Sequence, residues 1–303
     1  MIYSYASIVI GDGGIPKGGS KPMVERMKEK FLSLGGTLKV NANVDNIIIN
    51  NKNATGVKLK NGDLIKGDYV VSCLDTNYTL KKLLRDQYRF PAFEKRFNHQ
   101  TKNPSPSCVL ISFTVKKDNH LPIPYSFSCE PLTVADKEIN HLTIRSYSYD
   151  ESFTRGDKTV LSILLDQSNL NYPFWKRLSK DRLEYTKYKE WLAKEVKDRI
   201  IKQLPDLADS IELLDVATPY TFNHYVNSSN GVYMGFFFTH RNTMFAHSGK
   251  LEGLHNVYLS GQWLQGPGGL PIAMTQGKFA IQRICKREKL SFVFSSLPKH
   301  KKA

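Results

Sequence analysis

From Asn256 the chain reads Asn-Val-Tyr-Leu-Ser, then Gly261-Gln262-Trp263, then Gly266-Pro267-Gly268-Gly269-Leu270-Pro271. Ala273, Gly277, Ala280, Ile281 and Ile284 follow at spacings suited to a closely packed helix. The segment is thus a short apolar strand, a glycine loop and a helix start. A helix start leaves backbone N–H groups without intrahelical acceptors and carries partial positive charge, so it can hold an anion or a polarised carbonyl. Glycines let a ligand approach backbone that a Cβ would shield. A tight strand-to-helix turn without a ligand explains the same residues, and local physics does not choose between the two.

A second glycine-dense stretch, Gly11 to Ser20, is not a dinucleotide fingerprint. Pro16 stands where the third glycine of G-x-G-x-x-G belongs. No catalytic acid or base stands out. His240 and His247 lack HxxxH spacing, so no metal site is expected, and His224 beside Tyr225 reads first as a packing or surface residue. Tyr233, Phe236, Phe237 and Phe238 could line an apolar pocket, although at strand spacing they read first as core.

The elements that must position these residues are legible in outline. Ser20 is expected to cap a helix beginning near Lys21-Pro22, with Gly35-Gly36 ending it. Strands are expected at Thr37–Val40, from Val44 to Ile49, from Gly56 to Lys60 and up to Cys73. Asn61-Gly62 signals a two-residue hairpin. A short helix is expected from Thr76 to Leu84. Beyond residue 88, strands are expected at 108–115, 142–149, 160–165, 211–216 and 232–238. Between them Tyr185, Tyr188, Leu192, Val196 and Ile200 form the core stripe of a helix spanning 183–204.

Composition narrows the class. The 303 residues are 41% hydrophobic and 23% charged, which excludes a disordered or collagen-like chain. Four scattered cysteines without a CxxC pair argue against a disulfide framework or structural zinc and for a reducing compartment. No apolar run reaches the ~18 residues of a membrane span, and the first residues lack a signal-peptide pattern. A cytoplasmic location is therefore expected. Lys and Arg total 43 against 28 acidic residues, for a net charge of +15. The excess is dispersed except near the C-terminus. It suits weak contact with an acidic membrane surface better than specific nucleic-acid binding, for which no motif is present.

Three segments, in order, carry a family resemblance. They are Gly13-Gly14-Ile15-Pro16-Lys17-Gly18-Gly19 with the helix and the hairpin ending Asp68-Tyr69-Val70-Val71; Ala217-Thr218-Pro219-Tyr220-Thr221-Phe222; and Asn256 through Pro271. Together they resemble the flavin-dependent phytoene desaturase and carotenoid isomerase-like proteins, a branch of the amine-oxidase-type flavoproteins. The resemblance implies an α/β (α+β-like) flavoprotein fold with a mixed-sheet substrate domain. It implies FAD as cofactor and hydride transfer with a lipophilic substrate. It places the adenine at the backbone of Val44, the ribityl and pyrophosphate at Gly261 and Gln262, and the isoalloxazine beside Gly268, Gly269, Leu270 and Pro271.

The departures are that many relatives have an acidic residue where Gln262 stands and glycine where Ile272 stands. The N-terminal G-x-G-x-x-G unit of the family is missing, so the fold is expected to be incomplete. The chain is expected to start after that unit, to bind FAD poorly alone, and to need a separate N-terminal FAD-binding chain or else be a non-catalytic fragment. The expected division is 17–87 with 240–290 as the remaining cofactor domain, 88–239 as the substrate domain, and 291–303 as a basic tail.

Overall fold

The computed structural model describes residues 9, 14–118, 121 and 124–293. Gly11 to Gly13 and most of the expected basic tail lie outside the described residues. Helix α1 is Ser20–Ser33. Ser20 is its first residue, not its cap; Gly19 precedes it and no side chain caps the helix. Strand β1 (Val44–Asn50) pairs antiparallel with β2 (Asn53–Leu59) through a two-residue turn, with Asn51 and Lys52 both left-handed. Strand β3 (Leu64–Lys66) adds to β2. The Asn61-Gly62 turn is four residues long, not two, and is closed by Leu59 N–H donating to the Asp63 carbonyl at 2.8 Å. Thr37–Val40 is not a strand; its residues are mostly exposed and pair with no ladder.

Strand β4 (Val70–Ser72) leads into helical turns at Thr76–Tyr78 and Thr79–Leu83, and then α2 (Pro91–Asn98). Strands β5 (Pro106–Lys116), β6 (Tyr125–Val134), β7 (Lys137–Ser146), β8 (Thr154–Arg155) and β9 (Lys158–Ser168) follow. Helices α3 (Tyr172–Leu178) and α4 (Arg182–Gln203) precede β10 (Glu212–Ala217). Helix α5 (Pro219–Val226), β11 (Val257–Leu259) and α6 (Leu270–Arg287) complete the order. Residues 232–238 form no ladder. The N–H groups of Tyr233, Gly235 and Phe237 donate instead to the carbonyls of Pro106, Pro267 and Pro104. The segment is hydrogen-bonded at alternate residues, as a strand is, but to three prolyl carbonyls that belong to no one partner strand.

The chain divides into two compact units. The first comprises the described part of Met1–Ala42 with Val109–Leu165 and Lys180–Ala217. Its mixed-length antiparallel sheet has the order β10-β5-β9-β7-β6, with β8 on β9. Phe113, Leu142, Ile144, Leu161 and Ile163 are fully buried there. Helix α4 packs against β6 and β10 and buries Leu192, Ala193, Val196 and Ile200. Each such aliphatic side chain contributes about 2 kcal/mol by leaving water. Asp181 caps α4 by accepting from the N–H groups of Leu183 and Glu184.

The second unit comprises Asn43–Cys108, Asp166–Ser179 and the described part of Thr218–Ala303. It contains the hairpin, the parallel β4–β11 pair and α6 around a core that includes Ile47, Phe90, Phe93, Phe245, Leu259 and Leu264. The sequence puts 17–42 with the cofactor half and 88–239 with the substrate half. Contacts instead group 17–42 with the large sheet, and 88–108, 166–179 and 218–239 with the glycine loop. The overall class is α/β, as the sequence implies.

Candidate functional site

Every candidate cofactor residue lies in the second unit. β11 pairs parallel with β4, Val257 opposite Val70 and Leu259 opposite Ser72, and Ser260 N–H extends the ladder to the Ser72 carbonyl at 2.8 Å. The strand then ends at Gly261, whose φ of 97° is in the left-handed region. A Cβ there would sit 3.2 Å from the Cys73 carbonyl oxygen, so the residue type is fixed by both conformation and space.

Gln262 organises the loop. Its Nε2 donates to the Tyr233 carbonyl at 2.9 Å, and its Oε1 accepts from Gly269 N–H at 3.0 Å. One neutral amide thus ties the start of the glycine loop to its end. A carboxylate in this position would lose the donor to Tyr233. Gly268 folds back on the same residue, with the site of a Cβ 3.1 Å from the Gln262 carbonyl. Gly269, at φ 95°, is different: the nearest atom to a Cβ is Pro271 Cδ at 3.9 Å, so its face is open. Helix α6 begins at Leu270 with no side-chain cap. Its first N–H groups, those of Leu270 and Ile272, therefore end a helix dipole at an open glycine.

The structure brings Gly261, Gln262, Gly268, Gly269, Leu270 and Pro271 together by this hydrogen-bonded loop. Val44 is placed separately. It opens β1 opposite Leu59 and packs, half-buried, against the core that also holds Leu259 and Leu264. Neither Val44 nor Gly269 lines the cavities described next.

A small cleft of about 30 Å³ lies beside Trp263, Gly235 and Phe236. Its polar wall is centred on Asp75, which sequence reasoning missed. Asp75 is buried and accepts from Ser229 N–H at 2.9 Å, Ser229 Oγ at 2.8 Å and Tyr78 N–H at 3.0 Å. Burial pushes its carboxyl above the usual carboxylate range, although those hydrogen bonds oppose the shift. Gln100 Oε1 accepts from Asn169 Nδ2 at 3.0 Å and Asn230 Nδ2 at 3.2 Å, while Asn169 Oδ1 accepts from Ser105 N–H at 3.0 Å. Asn77 Oδ1 is buried without a hydrogen-bond partner. An Asp immediately before a helical turn is a capping signal that could have revealed Asp75.

His247 touches the glycine loop through its backbone, its N–H donating to the Leu264 carbonyl at 2.7 Å. His224 lies against Tyr220 and Tyr225, the latter 77% exposed. His247 packs tilted against Phe93, 4.6 Å between ring centres, and accepts Gly249 N–H on Nδ1. Burial, with a smaller contribution from the Arg283 charge, lowers its proton affinity. Phe236 is buried in the core, as expected for the aromatic run, but Phe237 and Phe238 are exposed.

The family model described as "Flavin containing amine oxidoreductase" matches residues 5–285. The chloroplastic prolycopene isomerase of Daucus carota is 30% identical over 242 residues, covering 75% of this chain and 38% of the relative. A neurosporene-forming phytoene desaturase of Cereibacter sphaeroides is 33% identical over 72 residues, 24% of this chain and 14% of that protein. The chain thus spans well under half the length of these curated relatives. The crystal structure of an oxidoreductase from Methanosarcina mazei superposes with a TM-score of 0.58 at 14% identity, over 91% of this chain and 56% of that one. This last likeness supports the fold alone.

Proposed function

The chain belongs to the flavin containing amine oxidoreductase family, and from that premise we propose that it forms the C-terminal, flavin-facing part of a carotenoid-type oxidoreductase. The substrate class is a long apolar polyene or its saturated precursor, as the names of the relatives suggest. FAD, when bound, supplies the hydride acceptor or donor. The chain's own part is positioning. Gly269 leaves backbone accessible, Leu270 and Ile272 N–H groups offer donors to a polarised or anionic group, and Gln262 fixes the loop between them. Val44 offers backbone to the adenine end. No side chain is assigned as acid or base, because hydride transfer needs orientation and exclusion of water more than proton transfer.

The observation that carries this reading is the open left-handed Gly269 at the uncapped start of α6. The residues therefore fit the cofactor's ring end. A nucleotide-binding βαβ unit would grip the diphosphate. A reading as a subunit needing a separate such chain is favoured by α1, which buries none of its residues and exposes Val24, Met27 and Phe31. A peripheral membrane contact would give access to an apolar substrate. No helix among the described residues is long and apolar enough to cross a membrane.

The test is flavin absorbance of the purified chain, alone and co-expressed with a family nucleotide-binding unit. Uptake of FAD is expected only with the unit, and Gly269→Val should reduce it by blocking the approach to α6. Undiminished flavin content in Gly269→Val sinks the assignment of this loop. Stoichiometric flavin on the chain alone would instead discard the need for a second unit.

A further inference from the structure

We propose that the cavity between α2 and the 239–243 loop is a docking site for the head groups of anionic phospholipids. The cavity measures about 450 Å³ and is walled by Lys95, Arg96, His99, Lys102, His240 and Arg241, and by no Asp or Glu. None of its four permanent cations forms an ion pair among the described residues. The contrast with another large cavity in the same unit, about 520 Å³, is direct. There Arg89 is held by Glu94 through two hydrogen bonds of 2.9 and 2.6 Å, and Glu252 stands in the wall. Four like charges gathered in a concavity repel one another unless an anion is shared.

The cavity is preformed. Asn242 Nδ2 donates to the Lys102 and Phe237 carbonyls at 3.0 and 2.9 Å, and its Oδ1 accepts from Thr239 N–H at 2.9 Å. Arg96 lies 4.3 Å from the centre of the Phe245 ring and donates to the Ala92 carbonyl. Such bracing holds the guanidinium in place before any anion arrives. The same segment supplies three exposed apolar side chains: Phe237 at 40%, Phe238 at 48% and Met244 at 64%. Cations that take phosphate next to aromatic and thioether side chains in water suit the boundary between head groups and acyl chains. A soluble phosphate would have no use for the exposed apolar residues that flank the loop in sequence. This names the surface for the membrane contact raised above. It does not rest on flavin binding, since charge and shape alone carry it.

The full 303-residue chain is sedimented with phosphatidylcholine vesicles, with and without about one third phosphatidylserine. Binding is expected only to the anionic vesicles, fading as salt rises. Lys95→Glu with Arg241→Glu should weaken it at least about tenfold. Phe238→Ser should weaken it less, and Lys180→Glu, which is not among the lining residues, should leave it unchanged. Thermal melts check that each variant folds, and Lys102→Glu carries the same reading should the double variant not fold. Undiminished binding in the folded charge-reversed variants would place any membrane contact elsewhere and overturn the proposal. So would absence of vesicle binding, including the case where inorganic phosphate alone raises the melting temperature of the wild type and not of the variants. Flavin content, read separately by absorbance, reports on the oxidoreductase reading whichever way the vesicles behave.

Discussion

Two cavities in the second unit share Asn103 and little else. The cleft around Asp75 is small, and most of its polar groups pair with one another: carboxylate with Ser229 and Tyr78, Gln100 with Asn169 and Asn230. The basic cavity is some fifteen times larger by volume, about 450 against 30 Å³, and among the described residues its cations have no carboxylate partner. Self-satisfied polar groups hold a fold together, because each buried donor left without an acceptor is destabilising. Charges left over at a preformed concavity add nothing to folding, and are explained by something that arrives from outside. The difference separates residues that shape the second unit from residues that recognise.

The sharpest way to break the comparison is at Gly231, between Asn230 and Val232 of the small cleft. Gly231 follows Ser229 and Asn230 with φ 64°, and a Cβ there would lie 2.1 Å from the Pro219 carbonyl oxygen. The obstacle is the backbone of Pro219, which cannot yield as a side chain would. Gly231→Ala should destabilise the chain by about 3 kcal/mol or more, read as a lowered urea midpoint. A change under about 0.5 kcal/mol would show that the cleft is not rigid. Asp75→Ala comes next. It removes the acceptor from Ser229 N–H, Ser229 Oγ and Tyr78 N–H. A loss of about 2 kcal/mol is expected, and protease resistance between residues 226 and 235 should fall with it.

How far the sequence foresaw this arrangement depended on the kind of force involved. The stripe Leu192, Val196, Ile200 predicted α4 within one residue of its bounds, since 3.6-residue periodicity is written locally. The glycine loop was legible for the same reason: strand, glycines and helix follow each other in the chain. Residues 232–238 misled because their composition is that of a strand, while the partners of their N–H groups are three prolyl carbonyls far away in sequence. The three short helices at Pro91, Tyr172 and Pro219 were not anticipated, although proline in the first turn marks each one. Asp75 and its amides come from four separate segments, and the basic cavity from two. No spacing rule joins Lys95 to Arg241; the packing of α2 against Phe245 and the Asn242 hydrogen bond to the Lys102 carbonyl do so.

A smaller effect concerns His247, whose ring rests on Phe93 of that helix. Burial, reinforced by Arg283, lowers its pKa from the ordinary 6.5. The unfolded chain therefore takes up the proton first as pH falls. Stability from this residue is complete above 6.5 and is lost as pH falls through the lower folded value. Melts between neutral and mildly acid pH should show a decline that His247→Phe makes shallower. An identical slope in the variant would remove His247 from the account.

The smallest expected effect is the most discriminating. Lys102 stands in the basic cavity without an ion pair among the described residues, and its side chain is exposed. Lys102→Gln removes one of several mutually repelling charges and no acceptor loses a donor. Its melting temperature should therefore equal the wild type or exceed it slightly, within about 0.5 kcal/mol. A marked destabilisation would mean that Lys102 supports the fold as Asp75 does. The contrast between a cavity built for packing and one kept for a ligand would then disappear, because unpaired charge would no longer mark the difference between them.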